Sequence, residues 1–100
     1  MQGDLGAYLA ELLDEAGDVQ TPVDGEYARS GVTFMSRPAP DVIELRLLPE
    51  IAEAARRTPD THGSSRGDEW VRFAPREWDD HASDRLEAWF RVAWRFAGDR

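Results

Sequence analysis

A chain of 100 residues with no cysteine and a net charge of −8 has room for one core, and it excludes disulfides, thiolate metal sites and a cysteine nucleophile. That charge repels nucleic acid and anionic lipid at long range. No run approaches the roughly 18 apolar residues of a membrane span, and "MQGDLGAYLAELLDEAGD" is acidic where a secretory signal starts basic. One cytoplasmic domain over residues 1–100 is therefore expected.

All twelve basic residues are arginine, and lysine and asparagine are absent, a bias expected of a high-GC bacterial genome. The charge is uneven. Residues 1–28 hold seven acids (Asp4, Glu11, Asp14, Glu15, Asp18, Asp24 and Glu26) and no base, whereas residues 29–100 hold thirteen acids against twelve arginines.

In chain order, Leu5, Tyr8, Leu9, Leu12, Leu13 and Ala16 recur at spacings of three and four. They predict a helix over 4–16, with Asp4 as cap and Gly17 as stop. Asp24-Gly25 signals a turn. "EYARSGVTFMS" reads as extended with Gly31 as a bulge or bend, Val32 and Phe34 on one face and Thr33 and Met35 on the other. "RPAPD" at 37–41 is not expected inside a strand, because two prolines remove ladder donors. In "DVIELRLL", Ile43, Leu45 and Leu47 alternate with Glu44 and Arg46, a half-buried strand with one wet face.

Pro49 suits the first position of a short helix, "PEIAEAARR", which Pro59 stops. "DTHGSSRGDEWVRFAP" predicts a second hairpin turning at Arg66-Gly67. A long helix follows over about 77–97, with Asp79 and Asp80 in its first turn and Arg95 in its last. The order α–β(2–3)–α–β(1–2)–α implies a two-layer α+β fold, an antiparallel sheet with helices on one face.

The final helix contains "LEAWFRVAWRF", rings and cations interleaved. At about 100° per residue, Leu86, Trp89, Phe90, Ala93, Trp94, Phe96 and Ala97 form one arc, and Arg91 and Arg95 lie opposite with Asp84 and Ala88. A nucleic-acid platform needs its rings and cations on the same accessible face. The arc is therefore expected to be core.

Catalytic and metal motifs fail on context. "GSSRG" at 63–67 matches the G-x-S-x-G of serine hydrolases, but that motif needs a strand-to-helix elbow, and a strand is expected after Gly67. "RGD" at 66–68 is what a tight turn requires. Glu77 and His81 make half of a helical metal site, with no second pair at ligand spacing. No phosphate-cradling glycine loop occurs. No cofactor, metal or catalytic residue is expected. The remaining candidate binding set is basic: Arg56, Arg57, His62, Arg66 and Arg72, with Arg76 beside them.

The second half resembles the MmcQ/YjbR family of small bacterial proteins over residues 31–97. The similarity lies in a strand ending in "RLL", the helix "PEIAEAARR", then "TPDTHGSSRGDEWVRF" with Arg66 shortly before Trp70, and the closing "RVAWRFA". The resemblance implies an α–β(3)–α–β(2)–α order, no established enzymatic activity and a suspected affinity for DNA. This chain departs from the family in placing Asp68 and Glu69, rather than lysines, before the tryptophan.

The favoured expectation is a non-catalytic domain that binds a protein or peptide partner, or a second copy of itself. It would make contact through its acidic first helix or an exposed sheet edge. The alternative is a nucleic-acid-binding domain acting through the second hairpin, and an unconventional enzyme ranks third.

Overall fold

The computed structural model describes residues 4–98. Asp4 caps helix α1 (Leu5–Ala16), its carboxylate accepting the Ala7 N–H at 2.9 Å. Gly17 ends the helix at φ 66°, its N–H returning to the Leu13 carbonyl at 3.2 Å. Leu5, Leu9 and Leu12 form the buried stripe.

Strand β1 (Glu26–Arg29) turns into β2 (Val32–Ala39) through Ser30 and Gly31. Both turn residues have positive φ, 55° and 79°, the geometry that matches the natural twist of a hairpin. Gly31 is thus half of a tight turn, which corrects the expected bend within one extended stretch. The faces of β2 also differ from expectation. Tyr27 pairs with Met35 and Ala28 with Thr33, so Phe34 is an extra residue opposite that step. This bulge turns Phe34 and Met35 to the same side, and both are buried, 1% and 0% exposed. "RPAPD" does not interrupt the strand either, because β2 runs through Pro38 to Ala39. β1 pairing ends at Glu26↔Ser36 and β3 pairing skips from Ser36 to Ala39, so Pro38 faces no regular ladder that needs its missing N–H.

β3 (Val42–Arg46) leads into α2 (Pro49–Ala55), then β4 (Thr61–Ser64), β5 (Gly67–Phe73) and α3 (Asp80–Gly98). The α3 start falls later than the pattern suggested. Asp79 is the cap rather than a first-turn residue, accepting the Ala82 N–H at 2.9 Å. The sheet is five-stranded, order β1-β2-β3-β5-β4, and every pairing is antiparallel.

Register fixes which face is covered. Met35, Leu45 and Val71 are successive cross-strand partners, and Ile43 pairs with Phe73. All five join one core with residues of α1, α2 and α3. The three helices therefore lie on one side of the sheet, a two-layer α+β fold. From α3, Leu86, Trp89, Phe90, Ala93 and Ala97 are buried, while Trp94 and Phe96 are half-buried flanks. Phe90 meets Phe34 edge-on at 5.8 Å between centroids, and Trp89 meets Phe73 at 5.3 Å. Arg91 and Arg95 are exposed, as the wheel requires. No helix among the described residues is long and apolar enough to cross a membrane.

α1 is fastened to α3 by polar contacts as well as by packing: Arg91 Nη2 donates to Glu15 Oε1 at 3.3 Å, and Tyr8 reaches across to Glu87. The Tyr8 hydroxyl donates to Glu87 Oε1 at 2.8 Å, with the Trp78 ring 5.8 Å away. That hydrogen bond, then burial and nearby carboxylates, pushes the Tyr8 hydroxyl up from 10.0 to about 12. The protonated phenol is favoured in the folded state, so its contribution to stability is complete below pH 10.0 and is lost as pH rises through about 12. An absorbance titration of tyrosinate should show Tyr8 ionising near pH 12. Replacing Tyr8 by Phe should remove that late step, and an unchanged titration curve would contradict the assignment.

Candidate functional site

Among the described residues no layer covers the face away from the helices, and that face is not featureless. Glu26, Ser36, Glu44, Arg72 and His62 are successive Cα partners from β1 across β2, β3 and β5 to β4. Directly opposed residues share a face, so a polar row crosses all five strands. Alternation puts Trp70 on the same face, diagonal to Glu44.

The β4–β5 hairpin bends across this row. Gly63 pairs with Val71 but Ser64 pairs with Gly67, so three residues of β5 are skipped. Ser65 and Arg66 form the turn at the tip, one residue earlier than the sequence suggested. Gly67 follows at φ 146°, a value L side chains rarely adopt. The Ser64 hydroxyl accepts the Arg66 N–H at 3.1 Å, fixing the turn.

From this tip Arg66 spans the face. Its Nη2 donates to Glu26 Oε2 at 2.7 Å and its Nε lies 3.3 Å from Glu44 Oε1. The guanidinium carbon sits 4.9 Å from the centre of the Trp70 ring. The second Glu44 oxygen, Oε2, accepts from Ser64 Oγ at 3.0 Å and from Arg72 Nη1 at 3.4 Å. Glu44 was expected on a wet face, yet its side chain is 8% exposed. Trp70 is 9% exposed and Ser36, between the two acids in the row, 5%. A carboxylate this buried survives because charged and hydroxyl donors satisfy both oxygens.

The structure separates the basic candidates. Arg66 and Arg72 converge on Glu44, with His62 next in the row at the sheet edge, exposed and without a side-chain hydrogen bond among the described residues. Arg56 lies elsewhere, donating to the Asp68 carbonyl at 3.0 Å. Arg57 pairs with Glu53 one helical turn back at 3.2 Å. Arg76 pairs with Asp60 at 3.0 Å and holds its carboxyl below the usual carboxylate range, through a side-chain and then a backbone hydrogen bond. Four of the five arginines thus meet a carboxylate and the fifth a carbonyl.

Sequence reasoning missed Glu26, Ser36, Glu44, Ser64 and Trp70 as members of one site. Strand alternation placed Glu44 on the right face, but only register aligns it with Glu26 and Arg72. Ser65 makes no hydrogen bond to a histidine among the described residues, and a strand follows its turn. No group of three acidic or histidine side chains among the described residues is arranged to hold a metal ion. Compared with known proteins, the chain matches no family model, no curated protein and no solved structure.

Proposed function

We propose that this is a non-catalytic domain that binds a protein or peptide partner through the open face of its sheet. One observation carries the reading: the three helices lie on one face, leaving the other with a polar row over five strands in which Glu26, Glu44 and Arg72 are held by ion pairs and hydrogen bonds. Side chains already held in place lose less entropy when a partner arrives. The net charge of −8 favours a cationic partner and speeds its encounter.

The surfaces first expected to make contact are less suitable. α1 turns its apolar stripe to the core, and of its outward acids Glu15 already pairs with Arg91 at 3.3 Å. The outer edge of β1 is already occupied, because Ala28 exchanges backbone hydrogen bonds with Gln20 at 2.7 and 2.8 Å. Among the described residues β4 is an unpaired edge only four residues long, a short template for strand addition.

The test is selection of peptides from a displayed random library, followed by NMR mapping of the winners. Signals from Glu26, Glu44, Trp70, Arg72 and His62 should move together. Winners that map to α1 and α3 instead, or a library that yields none, would overturn the reading.

A relation to the MmcQ/YjbR family stays a proposal, supported by the α–β3–α–β2–α order. The DNA affinity that resemblance implies is opposed by the pairing of its cations. Arg57, Arg66, Arg72 and Arg76 each meet a carboxylate, so binding phosphate would break ion pairs already made. Duplex DNA is expected to bind no more tightly than about 10⁻⁴ M at physiological salt, the weak end of the non-specific range. Fluorescence anisotropy across salt concentrations checks this. Micromolar affinity that falls steeply with salt and is lost in Arg66→Ala would favour the DNA reading.

A further inference from the structure

We propose that Trp70, Glu26 and Glu44 form a seat for a guanidinium group, and that Arg66 fills it from within the chain in place of an arginine of the binding partner. The inference rests on the open face being the binding surface and names the chemistry that face selects.

The seat has three sides. The Trp70 ring lies 4.9 Å from the guanidinium carbon, Glu26 Oε2 accepts at 2.7 Å, and Glu44 Oε1 is 3.3 Å from Nε. A planar cation with donors on several edges meets all three at once, by stacking on the ring and donating sideways. A lysine ammonium is a point charge that cannot stack in this way. Net charge points the same way, since a chain at −8 attracts a basic segment.

One wall of the seat, Glu44, stays in place when Arg66 leaves. Glu44 divides its oxygens: Oε2 is held by Ser64 and Arg72, and Oε1 serves Arg66. Departure of Arg66 frees Oε1 and Glu26 Oε2 while Glu44 stays anchored on its other oxygen. Among the described residues, Glu26 has no other side-chain partner.

Arg66 is placed to leave. It sits on the turn at the hairpin tip, and the turn is held by the Arg66 backbone N–H on Ser64, not by the side chain. The Arg66 side chain is 31% exposed, and partly exposed ion pairs are individually weak. An arginine from a partner would therefore exchange with it, repeating the same contacts between chains. The internal occupant weakens binding of an outside guanidinium by the ratio of its effective concentration to the dissociation constant of the seat, and a ratio of about ten makes the intact protein bind about tenfold more weakly than a chain lacking Arg66.

The test titrates a capped Gly-Arg-Gly peptide into the parent and into Arg66→Ala, following the Trp70 indole N–H by NMR. Trp70→Phe assigns that signal, and unmoved signals from the other indoles confirm the fold of each variant. Arg66→Ala should bind the arginine peptide about tenfold more tightly than the parent. The lysine peptide should bind more weakly, and the neutral citrulline peptide should leave the indole unmoved. Adding Glu26→Gln to Arg66→Ala should weaken binding again. A folded Arg66→Ala variant that binds arginine no better than the parent, or binds citrulline equally, overturns the seat. If library-selected peptides still map to the open face, the binding reading survives that failure. If they do not, both fall.

Discussion

Replacing Trp89 by Ala is expected to destabilise the protein by about 3–5 kcal/mol, the range for large aromatic truncations in a packed core. Trp89 is 8% exposed and meets Phe73 edge-on at 5.3 Å. The ring links α3 to β5, and Phe73 is 0% exposed, so solvent cannot fill the space left without opening the layer. The loss is a large part of a typical total of about 5–15 kcal/mol. At about 4–8 °C per kcal/mol for a domain of this size, the midpoint should fall by roughly 12–40 °C. Arg95→Ala on the opposite side of the same helix is the control, expected within about 0.5 kcal/mol of the parent. Thermal and urea unfolding of the two variants decide the matter. A Trp89→Ala chain that melts with the parent would mean that α3 does not pack on the sheet as described.

The sequence made that face of α3 legible because a helix has a fixed angular period, so Leu86, Trp89, Phe90 and Ala93 align whatever they touch. Ile43, Leu45 and Leu47 were equally clear for the corresponding reason in a strand. Phe34 and Met35 were not, since a bulge is a property of two strands and shifts the alternation of one of them. Ser30-Gly31 was hidden because serine gives little sign that it will take a positive φ.

The candidate site was harder still. Arg66 meets Glu26 across forty residues of sequence and Glu44 across twenty-two, read as differences of residue number. Counting charges in the 56–76 segment found Arg66 and Arg72 unopposed because the acids that pair with them, Glu26 and Glu44, lie outside it. Burial of Glu44 follows from the bend of the β4–β5 hairpin, which no local pattern announces. Periodicity identifies faces, whereas register determines which charges meet.

Glu44→Ala should therefore cost more than its place on an open face suggests. Its carboxylate accepts from Ser64 and pairs with Arg66 and Arg72, and its side chain is only 8% exposed. Removing one partner of a fully buried ion pair costs about 3–5 kcal/mol, because the other charge is left unpaired out of water. Here Arg66 and Arg72 keep side-chain exposures of 31% and 45%, so both can turn to solvent, and surface pairs contribute only about 0–1 kcal/mol each. The expected loss is intermediate, about 1–3 kcal/mol, including the Ser64 hydrogen bond. Glu44→Gln retains the volume and one acceptor oxygen, so it should lose less than Glu44→Ala. A double-mutant cycle with Arg72→Ala should give a coupling of at least about 0.5 kcal/mol, as expected for residues within one network. Urea unfolding measures all three quantities. A Glu44→Ala variant as stable as the parent, with no coupling to Arg72, would show that the row across the sheet is only a set of solvated side chains.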